Sequence, residues 1–300
     1  MGLVNSKNIL QKALKNKYAV GAFNVYNLET AQAVVETCEK KGTDAIIAVS
    51  EGAIKYTGLK NIVSLIKSLT KDTKQEYSLH LDHGSSFDSI KTAIEAGFTS
   101  VMIDGSNLSF EDNISLTKRV VEFAHKHNVS VEAELGKILS LEELRKNNYS
   151  YTNPEEAKIF VEKTNVDSLA ISIGTAHGIN KGNKKHGINF DVINEISLAI
   201  PNTPLVAHGS STVNPYFVEK INKYGGIIDK AIGIPKQTIE KMSKTNICKI
   251  NVDTDIRLAF TAGIREYLTE KNQDFDPRKY LSLAKEYVCI QIENTLEMIQ

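Results

Sequence analysis

The segment LHLDHGSS, residues 79–86, places two histidines and an aspartate within four positions at the end of a short apolar run. A charged carboxylate in such surroundings is costly to bury unless it is paired or binds a metal ion. The adjacent Asp82 and His83 therefore indicate a site at which chemistry, and not packing, decides the residue types. His80 alternates with two leucines on the same run, so we expect it to point inward as a structural or supporting group.

Polar residues also end the other short, β-branched apolar runs of the chain. Eight such runs alternate with segments in which apolar residues recur every three or four positions, which is typical of strands alternating with amphipathic helices. The predicted strands are AVGAFNV (19–25), AIIAVS (45–50), YSLHLD (77–82), SVMIDG (100–105), VSVEAEL (129–135), SLAISIG (168–174), PLVAHG (204–209) and ICKINVD (247–253). The polar residues at or just beyond their carboxyl ends are Asn24, Ser50, Asp82, His83, Asp104, Glu134, His177, His208, Asn251 and Asp253.

The alternation predicts an α/β fold. Near-continuous apolar strands indicate a parallel sheet covered by helices, and eight units favour a closed TIM (β/α)₈ barrel over an open doubly wound sheet. The length of 300 residues fits one barrel domain, 1–300. The carboxyl ends of barrel strands converge on one face, so we expect the polar residues to form one site there. The longest interruptions, 137–153 and 211–246, are expected to be functional loops or small inserted helices.

Three of the strand-end residues are histidines: His83, His177 and His208. A single histidine is more often a hydrogen-bonded core group, and a single Asp or Asn at a strand end usually caps a helix. Core packing and helix capping do not readily explain why so many polar residues stand at the carboxyl ends of the predicted strands. Three converging imidazoles suit a catalytic Zn²⁺ with an open fourth position, although their spacing is no local zinc signature. The remaining histidines, at 125, 127 and 186, are expected in solvent.

Glycine-containing segments follow the sixth and seventh predicted strands: GTAHGINKG (174–182) and AHGSST (207–212). The eighth strand ends in the small polar segment NVDTD (251–255). Small residues let backbone N–H groups approach an anion, and the loops after strands seven and eight often bind phosphate in barrels. Ordinary turns would also explain such loops. Neither GxGxxG nor GxxxxGK[ST] occurs, so the sequence carries no nucleotide fingerprint.

Composition excludes several classes of partner. Lys plus Arg equals Asp plus Glu, 36 against 36, so no global field indicates nucleic acid or cationic partners. No run approaches the roughly 18 apolar residues of a membrane helix, and the first residues lack the apolar core of a signal peptide. Three widely spaced cysteines, Cys38, Cys248 and Cys289, favour reduced thiols and a cytoplasmic location.

These residues resemble one family. The segments FNVYNLE, LHLDHGSS, SVMIDGS, VEAELG, GTAHG, HGSS and KINVDTDIR occur in the order found in the class II, metal-dependent fructose-bisphosphate aldolases. The resemblance covers essentially residues 1–289 and extends to INKYGG, AIGIP and FDPRKYL. It implies a lyase that reversibly cleaves fructose 1,6-bisphosphate to dihydroxyacetone phosphate and glyceraldehyde 3-phosphate in glycolysis and gluconeogenesis.

The resemblance also implies residue roles. His83, His177 and His208 match the ligands of a catalytic Zn²⁺, and Asp104 and Glu134 match groups of a second or displaced metal position. Asp82 matches the catalytic carboxylate and Glu142 the mobile-loop glutamate that protonates the enediolate carbon. Asn24 lies near the substrate, and Ser50 and Arg278 match positions at one phosphate. The residues implied at the dihydroxyacetone phosphate end are Gly178, Lys181, Gly209, Ser210, Ser211, Asn251, Asp253 and Thr254, with a monovalent cation, Na⁺ or K⁺, nearby.

Two departures from the family pattern concern loops. The segment after AELG reads KILSLEELRKNN, with Leu139 and Ser140 where a glycine pair is usual, which leaves the choice between Glu142 and Glu143 open. The usual HGxYKG reads HGINKG, with Asn180 in place of the tyrosine. Neither change removes a predicted metal ligand.

Three alternatives stay open at this point. An aldolase for tagatose 1,6-bisphosphate could share the whole constellation, although the 211–246 insertion favours fructose. A barrel amidohydrolase would need an H-x-H pair on the first strand, where FNVYN stands. A non-catalytic or moonlighting binding protein could use the same scaffold. The expected partners are sugar phosphates and further copies of the chain, as a homodimer or homotetramer, and not nucleic acid or membranes.

Overall fold

The computed structural model describes residues 2–136, 151–176, 187–229 and 231–300. Eight strands lie at Val20–Asn24 (β1), Ala45–Ser50 (β2), Tyr77–Gly84 (β3), Ser100–Ile103 (β4), Ser130–Leu135 (β5), Ser168–Ile171 (β6), Leu205–Ala207 (β7) and Ile247–Val252 (β8). They form a closed barrel in sequence order, with β8 pairing back onto β1, and every pair is parallel. The predicted TIM barrel is confirmed.

Helices surround the barrel and follow the predicted alternation. Within the described ranges they span Ser6–Asn16 (α1), Leu28–Lys41 (α2), Glu51–Thr57 (α3), Leu59–Thr70 (α4), Phe87–Ala96 (α5), Phe110–Lys126 (α6), Pro154–Thr164 (α7), Phe190–Ala199 (α8), Pro215–Lys223 (α9), Lys236–Ser243 (α10), Thr254–Glu270 (α11) and Pro277–Ile299 (α12). The predicted long interruption 211–246 contains α9 and α10, as small inserted helices. Part of the other interruption, 137–150, lies outside the described residues.

The strands are buried on both faces because the helices cover the outside and other strands face the inside. Every residue of β1, β5 and β8 is buried, including the charged or polar residues of β5 and β8, which face the barrel interior. Several helices begin at side chains that accept backbone N–H bonds. Asn27 and Ser86, for example, form reciprocal capping boxes with Thr30 and Ser89 respectively. Capping residues in the sequence therefore set where these two helices begin.

Helix α1 precedes the barrel and lies against the amino-terminal ends of its strands. Its apolar face packs in one cluster with Val20, Ile46 and Cys248 from the beginnings of three strands. The buried Ser6 hydroxyl lies 2.9 Å from Ser100 Oγ and 2.8 Å from Ser130 Oγ. Helix α1 thus covers the amino-terminal end of the barrel interior. In the described part of the chain, no helix has both the length and the apolar character required to cross a membrane.

Candidate active site

The carboxyl ends of the strands surround a cavity of about 270 Å³. It is lined by Asn24, Ser50, Asp82, His83, His208, Gly209, Ser211, Asn251, Asp253, Thr254 and Arg257. All of these except Arg257 are site residues predicted from the sequence. Barrel closure thus brings residues from β1, β2, β3, β7 and β8 together, as the convergence argument requires.

Neighbouring residues of a strand normally face opposite sides, yet Asp82 and His83 both line this cavity. The reason is a bulge: the register between β3 and β4 shifts between Leu81 and Gly84, and His83 has a left-handed backbone with φ of 52°. A non-glycine residue in this region costs about 1–2 kcal/mol. Such strain near a site re-aims a side chain, and here it turns the imidazole onto the same face as the carboxylate.

Two imidazole nitrogens face each other at the centre of the site. His83 Nε2 lies 3.2 Å from His208 Nδ1, with the ring planes at 61°. The opposite nitrogen of each ring meets a carboxylate: His83 Nδ1 is 3.1 Å from Asp104 Oδ2, and His208 Nε2 is 2.8 Å from Glu132 Oε1. When each ring donates its N–H to its carboxylate, two nitrogen lone pairs point into the same space. Only a cation or a proton between them makes that arrangement favourable.

The distances fit a metal ion. Two nitrogens bound at about 2.0–2.1 Å to one tetrahedral Zn²⁺ lie roughly 3.3 Å apart, close to the spacing of the two rings. Asp82 Oδ1 is 4.0 Å from His83 Nε2, and Glu134 Oε2 is 3.8 Å from His83 Nδ1. Potential ligand atoms therefore form two overlapping groups, Asp82–His83–His208 and His83–Asp104–Glu134. Imidazole and carboxylate together suit a divalent transition metal.

The electrostatics of the site also favour a cation. Burial lowers the pKa of His83, but the hydrogen bond to Asp104 and the negative charges of Asp82 and Glu134 outweigh it and raise that pKa to about 9. Burial raises the pKa of Asp104, yet the hydrogen bonds from His83 and Ser106 lower it well below its usual range. Asp104 is thus ionised, and positive charge at His83 is stabilised.

Asp82 is held rigidly by two amides. Asn24 Nδ2 donates to its Oδ2 at 2.7 Å and Asn251 Nδ2 donates to its Oδ1 at 3.1 Å. Burial raises the pKa of Asp82, but the charges of His83, His208 and Lys249 dominate and lower it to about 2. Within the described residues the carbonyl oxygens of both amides are buried without a hydrogen-bond partner. Buried acceptors are usually hydrogen-bonded, so these two oxygens are available to a water molecule or to a hydroxyl group of a bound molecule.

Some predicted residues lie elsewhere. Arg278 stands at the first turn of α12, 89% exposed, paired with Asp276 at 2.8 Å, and does not line the cavity. Ser210 is buried, and its hydroxyl donates to the carbonyl of Ala207 at 3.3 Å. The predicted His177, Gly178, Lys181 and Glu142 lie outside the described residues.

Sequence reasoning missed three residues of this region: Glu132, Lys249 and Arg257. Glu132 stands two positions before Glu134, so strand alternation already places both on one face. Lys249 interrupts an apolar strand, which is the signal of a buried charge with a partner. Arg257 follows Asp253 by one helical turn, and the two side chains pair at 2.7 Å.

The fold and the site define a TIM-barrel enzyme whose carboxyl-terminal rim is built for a divalent metal ion. Residues 4–300 match the model of the family described as class II fructose-bisphosphate aldolase. A fructose-bisphosphate aldolase of Thermus caldophilus is 44% identical over 299 residues, 99% of this chain and 97% of that protein. One from Treponema pallidum is 40% identical over 311 residues, covering 95% of this chain and 92% of that protein.

The solved YdjI aldolase of Escherichia coli K12 is 28% identical, with a TM-score of 0.81 over 99% of this chain and 97% of that one. The chain belongs to the class II fructose-bisphosphate aldolase family. It is accordingly a lyase, and the family reaction is the reversible aldol cleavage of fructose 1,6-bisphosphate. The family and activity expected from the sequence are confirmed.

The facing imidazoles predict one tight metal site in the purified protein. We expect His83→Ala to weaken Zn²⁺ binding at least about 100-fold, because loss of a supporting group alone commonly costs about 10–100-fold. Competition with a chromogenic chelator measures the affinity. His127→Ala is the matched control, since that ring lies on the exposed end of α6 and bonds only the carbonyl of Phe123 among described residues. Equal affinities of the two variants would contradict the assignment of His83.

Proposed function

We propose that the enzyme cleaves fructose 1,6-bisphosphate at this rim with one Zn²⁺ held by His83, His177 and His208. The observation that carries the proposal is the 3.2 Å approach of His83 Nε2 and His208 Nδ1, with Asp82 Oδ1 4.0 Å from the first of these nitrogens. When bound, the ion acts as a Lewis acid on the substrate carbonyl and offsets the negative charge that cleavage leaves. The inclusion of His177 rests on the resemblance.

Asp82 is the acid–base group of the proposal. Cleavage requires a proton to leave the hydroxyl that becomes the aldehyde, and condensation requires its return. The carboxylate is ionised, and the amides of Asn24 and Asn251 hold both of its oxygens. Their unpaired carbonyl oxygens can accept substrate hydroxyls and so orient the sugar chain beside it. Glu142 as the donor to the enediolate carbon remains a prediction from the resemblance.

The phosphate of the dihydroxyacetone half is assigned to the loops after β6, β7 and β8. Gly209 has φ of 62°, and a Cβ there would meet Ala176 O at 2.5 Å, so only glycine lets these two loops touch. Helix α11 begins at Thr254, and the preceding Asp253 side chain does not cap it but pairs with Arg257. A helix amino terminus beside closely packed loops attracts a phosphate. Gly178, Lys181, Ser210, Ser211 and a nearby Na⁺ or K⁺ complete this end on the strength of the resemblance.

The second phosphate is assigned to a larger cavity of about 590 Å³ that adjoins the first. Ser50 and Arg257 line both cavities, so a ligand spanning the two would pass between them. The guanidinium carbon of Arg257 lies 5.4 Å from the centre of the Tyr26 ring, and Asp253 binds its Nε at 2.7 Å. A guanidinium fixed in this way suits recognition of an anion. Arg278, expected at this phosphate, stays a prediction.

Asp104 and Glu134 are assigned to a second or displaced metal position, because their oxygens lie 3.1 and 3.8 Å from His83 Nδ1. The proposal also includes a cytoplasmic homodimer or homotetramer whose subunits are each one domain, residues 1–300. A cytoplasmic location agrees with the three cysteines, all of which are free thiols. The oligomer rests on the resemblance.

Substrate and metal dependence are measured together. We expect turnover of fructose 1,6-bisphosphate to exceed that of tagatose 1,6-bisphosphate, to be lost in EDTA and to return with Zn²⁺. The physical reason is that cleavage leaves an anion that the site stabilises with a bound cation. Chelator-resistant cleavage would exclude the proposed zinc site. Preference for the tagatose ester would keep the site and change the substrate.

The role of Asp82 is separable from metal binding. We expect Asp82→Asn to lower kcat about 10²–10⁴-fold, the usual contribution of a general acid–base group, while the zinc content is unchanged. Steady-state kinetics and metal analysis of the same samples measure both quantities. Asp88→Asn, at the exposed first turn of α5, serves as the control and should retain full activity. Retention of kcat in Asp82→Asn would refute the assignment.

Arg257 is expected to act on one phosphate only. Loss of a hydrogen bond to a charged group costs about 1.5–3 kcal/mol, so Arg257→Met should raise KM for fructose 1,6-bisphosphate about 10–100-fold. Proton exchange on dihydroxyacetone phosphate, which lacks the second phosphate, should change little. Arg265→Met, two turns further along α11 and bound to the Tyr224 carbonyl, is the matched control. Equal impairment of both reactions by Arg257→Met would place this residue elsewhere in the mechanism.

A further inference from the structure

A line of buried polar side chains runs through the barrel interior beneath the proposed metal site. In order from the amino-terminal end its members are Ser6, Ser100, His80, Lys249, Glu132 and His208. They come from α1, β4, β3, β8, β5 and the end of β7. Only the last of them, His208, has a role in the proposed function, so the remainder of the line requires an explanation.

The centre of this line is an ion pair between opposite parts of the barrel. Lys249 Nζ lies 2.7 Å from Glu132 Oε2, and the side chains are 0% and 2% exposed. Removing both charges from water costs free energy that their attraction often fails to repay, and apolar replacements of such pairs are frequently neutral or stabilising. Stability of the barrel alone is therefore a poor reason for charges at this depth.

The second oxygen of Glu132 meets the metal-site histidine. Glu132 Oε1 is 2.8 Å from His208 Nε2, and His208 is itself 2% exposed. An ionised carboxylate can only accept, so this contact places the imidazole proton on Nε2. The other nitrogen, Nδ1, then carries the lone pair that faces His83 Nε2 at 3.2 Å. The carboxylate thus selects which nitrogen of His208 is available as a ligand.

Lys249 determines what Glu132 can do. It binds one carboxylate oxygen at 2.7 Å and approaches His80 Nε2 at 3.3 Å, while His80 Nδ1 is 2.8 Å from Ser100 Oγ. Lys249 holds one carboxylate oxygen and His208 Nε2 the other, so Glu132 is oriented toward these two groups. Glu134, two residues along the same strand, lies in the group that surrounds His83 instead.

We propose that Glu132 and Lys249 are positioning residues for the metal site: Glu132 holds the His208 ring in the Nε2–H form, and Lys249 anchors Glu132 away from the ion. The proposal deepens the proposed function and rests on its metal site. A carboxylate behind a metal-binding histidine fixes the ring and typically contributes about 10–100-fold in metal affinity. Here the carboxylate is locked in turn by a buried cation.

Two double variants separate positioning from packing. Glu132→Leu with Lys249→Met keeps an apolar pair of similar volume and removes the acceptor for His208. Glu132→Gln with Lys249→Met keeps an amide oxygen as acceptor and leaves no unpaired buried charge. We expect the first to weaken Zn²⁺ binding by the metal-free protein about 10–100-fold and the second to recover most of that loss. Thermal unfolding of both variants shows whether the barrel is intact.

The matched control is Ser100→Ala, at the far end of the same line. Its loss disturbs the hydrogen bond to His80 but not the contact between Glu132 and His208. We expect its zinc affinity to match that of the unaltered protein. If a folded Glu132→Leu/Lys249→Met variant keeps full affinity, or if Ser100→Ala loses as much as that variant, the proposal is overturned.

A second measurement needs no variant and no metal. Long-range ¹H–¹⁵N correlation spectra of the metal-free protein report the tautomer of His208, with assignment by comparison with His208→Gln. The Nε2–H form supports the proposal, and the Nδ1–H form overturns it. If the unaltered protein binds no zinc, the proposed function fails, whereas the tautomer still decides whether Glu132 fixes the ring.

Discussion

The arrangement that the rest of the site depends on is the approach of two imidazole nitrogens, His83 Nε2 and His208 Nδ1, to 3.2 Å. Two lone pairs at this distance repel unless a proton or a metal ion lies between them. Each ring is turned into this position from behind by a carboxylate, Asp104 for the first and Glu132 for the second. The two rings are therefore held in position without a bound metal ion. Contacts within the protein offset the free energy that their close approach costs.

Several parts of the fold stabilise the strained or buried groups of the site. The left-handed conformation of His83 is tolerated because the bulge at the end of β3 is fixed between two neighbouring strands. The buried charge of Glu132 is tolerated because Lys249 meets it from β8, inside the barrel. At the amino-terminal end of the barrel, Ser6 of α1 contacts Ser100 and Ser130 and covers the barrel interior. A closed barrel can hold these groups because each strand is braced by two others.

Asp82, the proposed acid–base group, directly precedes the proposed metal ligand His83 in the chain but has its own support. Asn24 and Asn251 hold Asp82 from two neighbouring strands that are themselves paired, β1 and β8. Each of these amides bonds Asp82 across the rim and is also a proposed contact for substrate. Arg257 and Ser50 extend the same rim into the adjoining cavity, which gives the site room for a ligand with charges at both ends.

The sequence by itself determined the eight-unit alternation, the barrel class, and the strand-end residues that line the cavity, because hydrophobic periodicity and strand direction are local properties. The motifs also identified the family. Tertiary structure alone decided that adjacent Asp82 and His83 share a face, since the bulge depends on how β3 pairs with β4. It also decided that Lys249 and Glu132, which are 117 residues apart, form one pair, and that Arg257 rather than Arg278 lines the cavity. These contacts join residues that are distant in sequence, so they form only when the barrel closes and brings its strands and helices together.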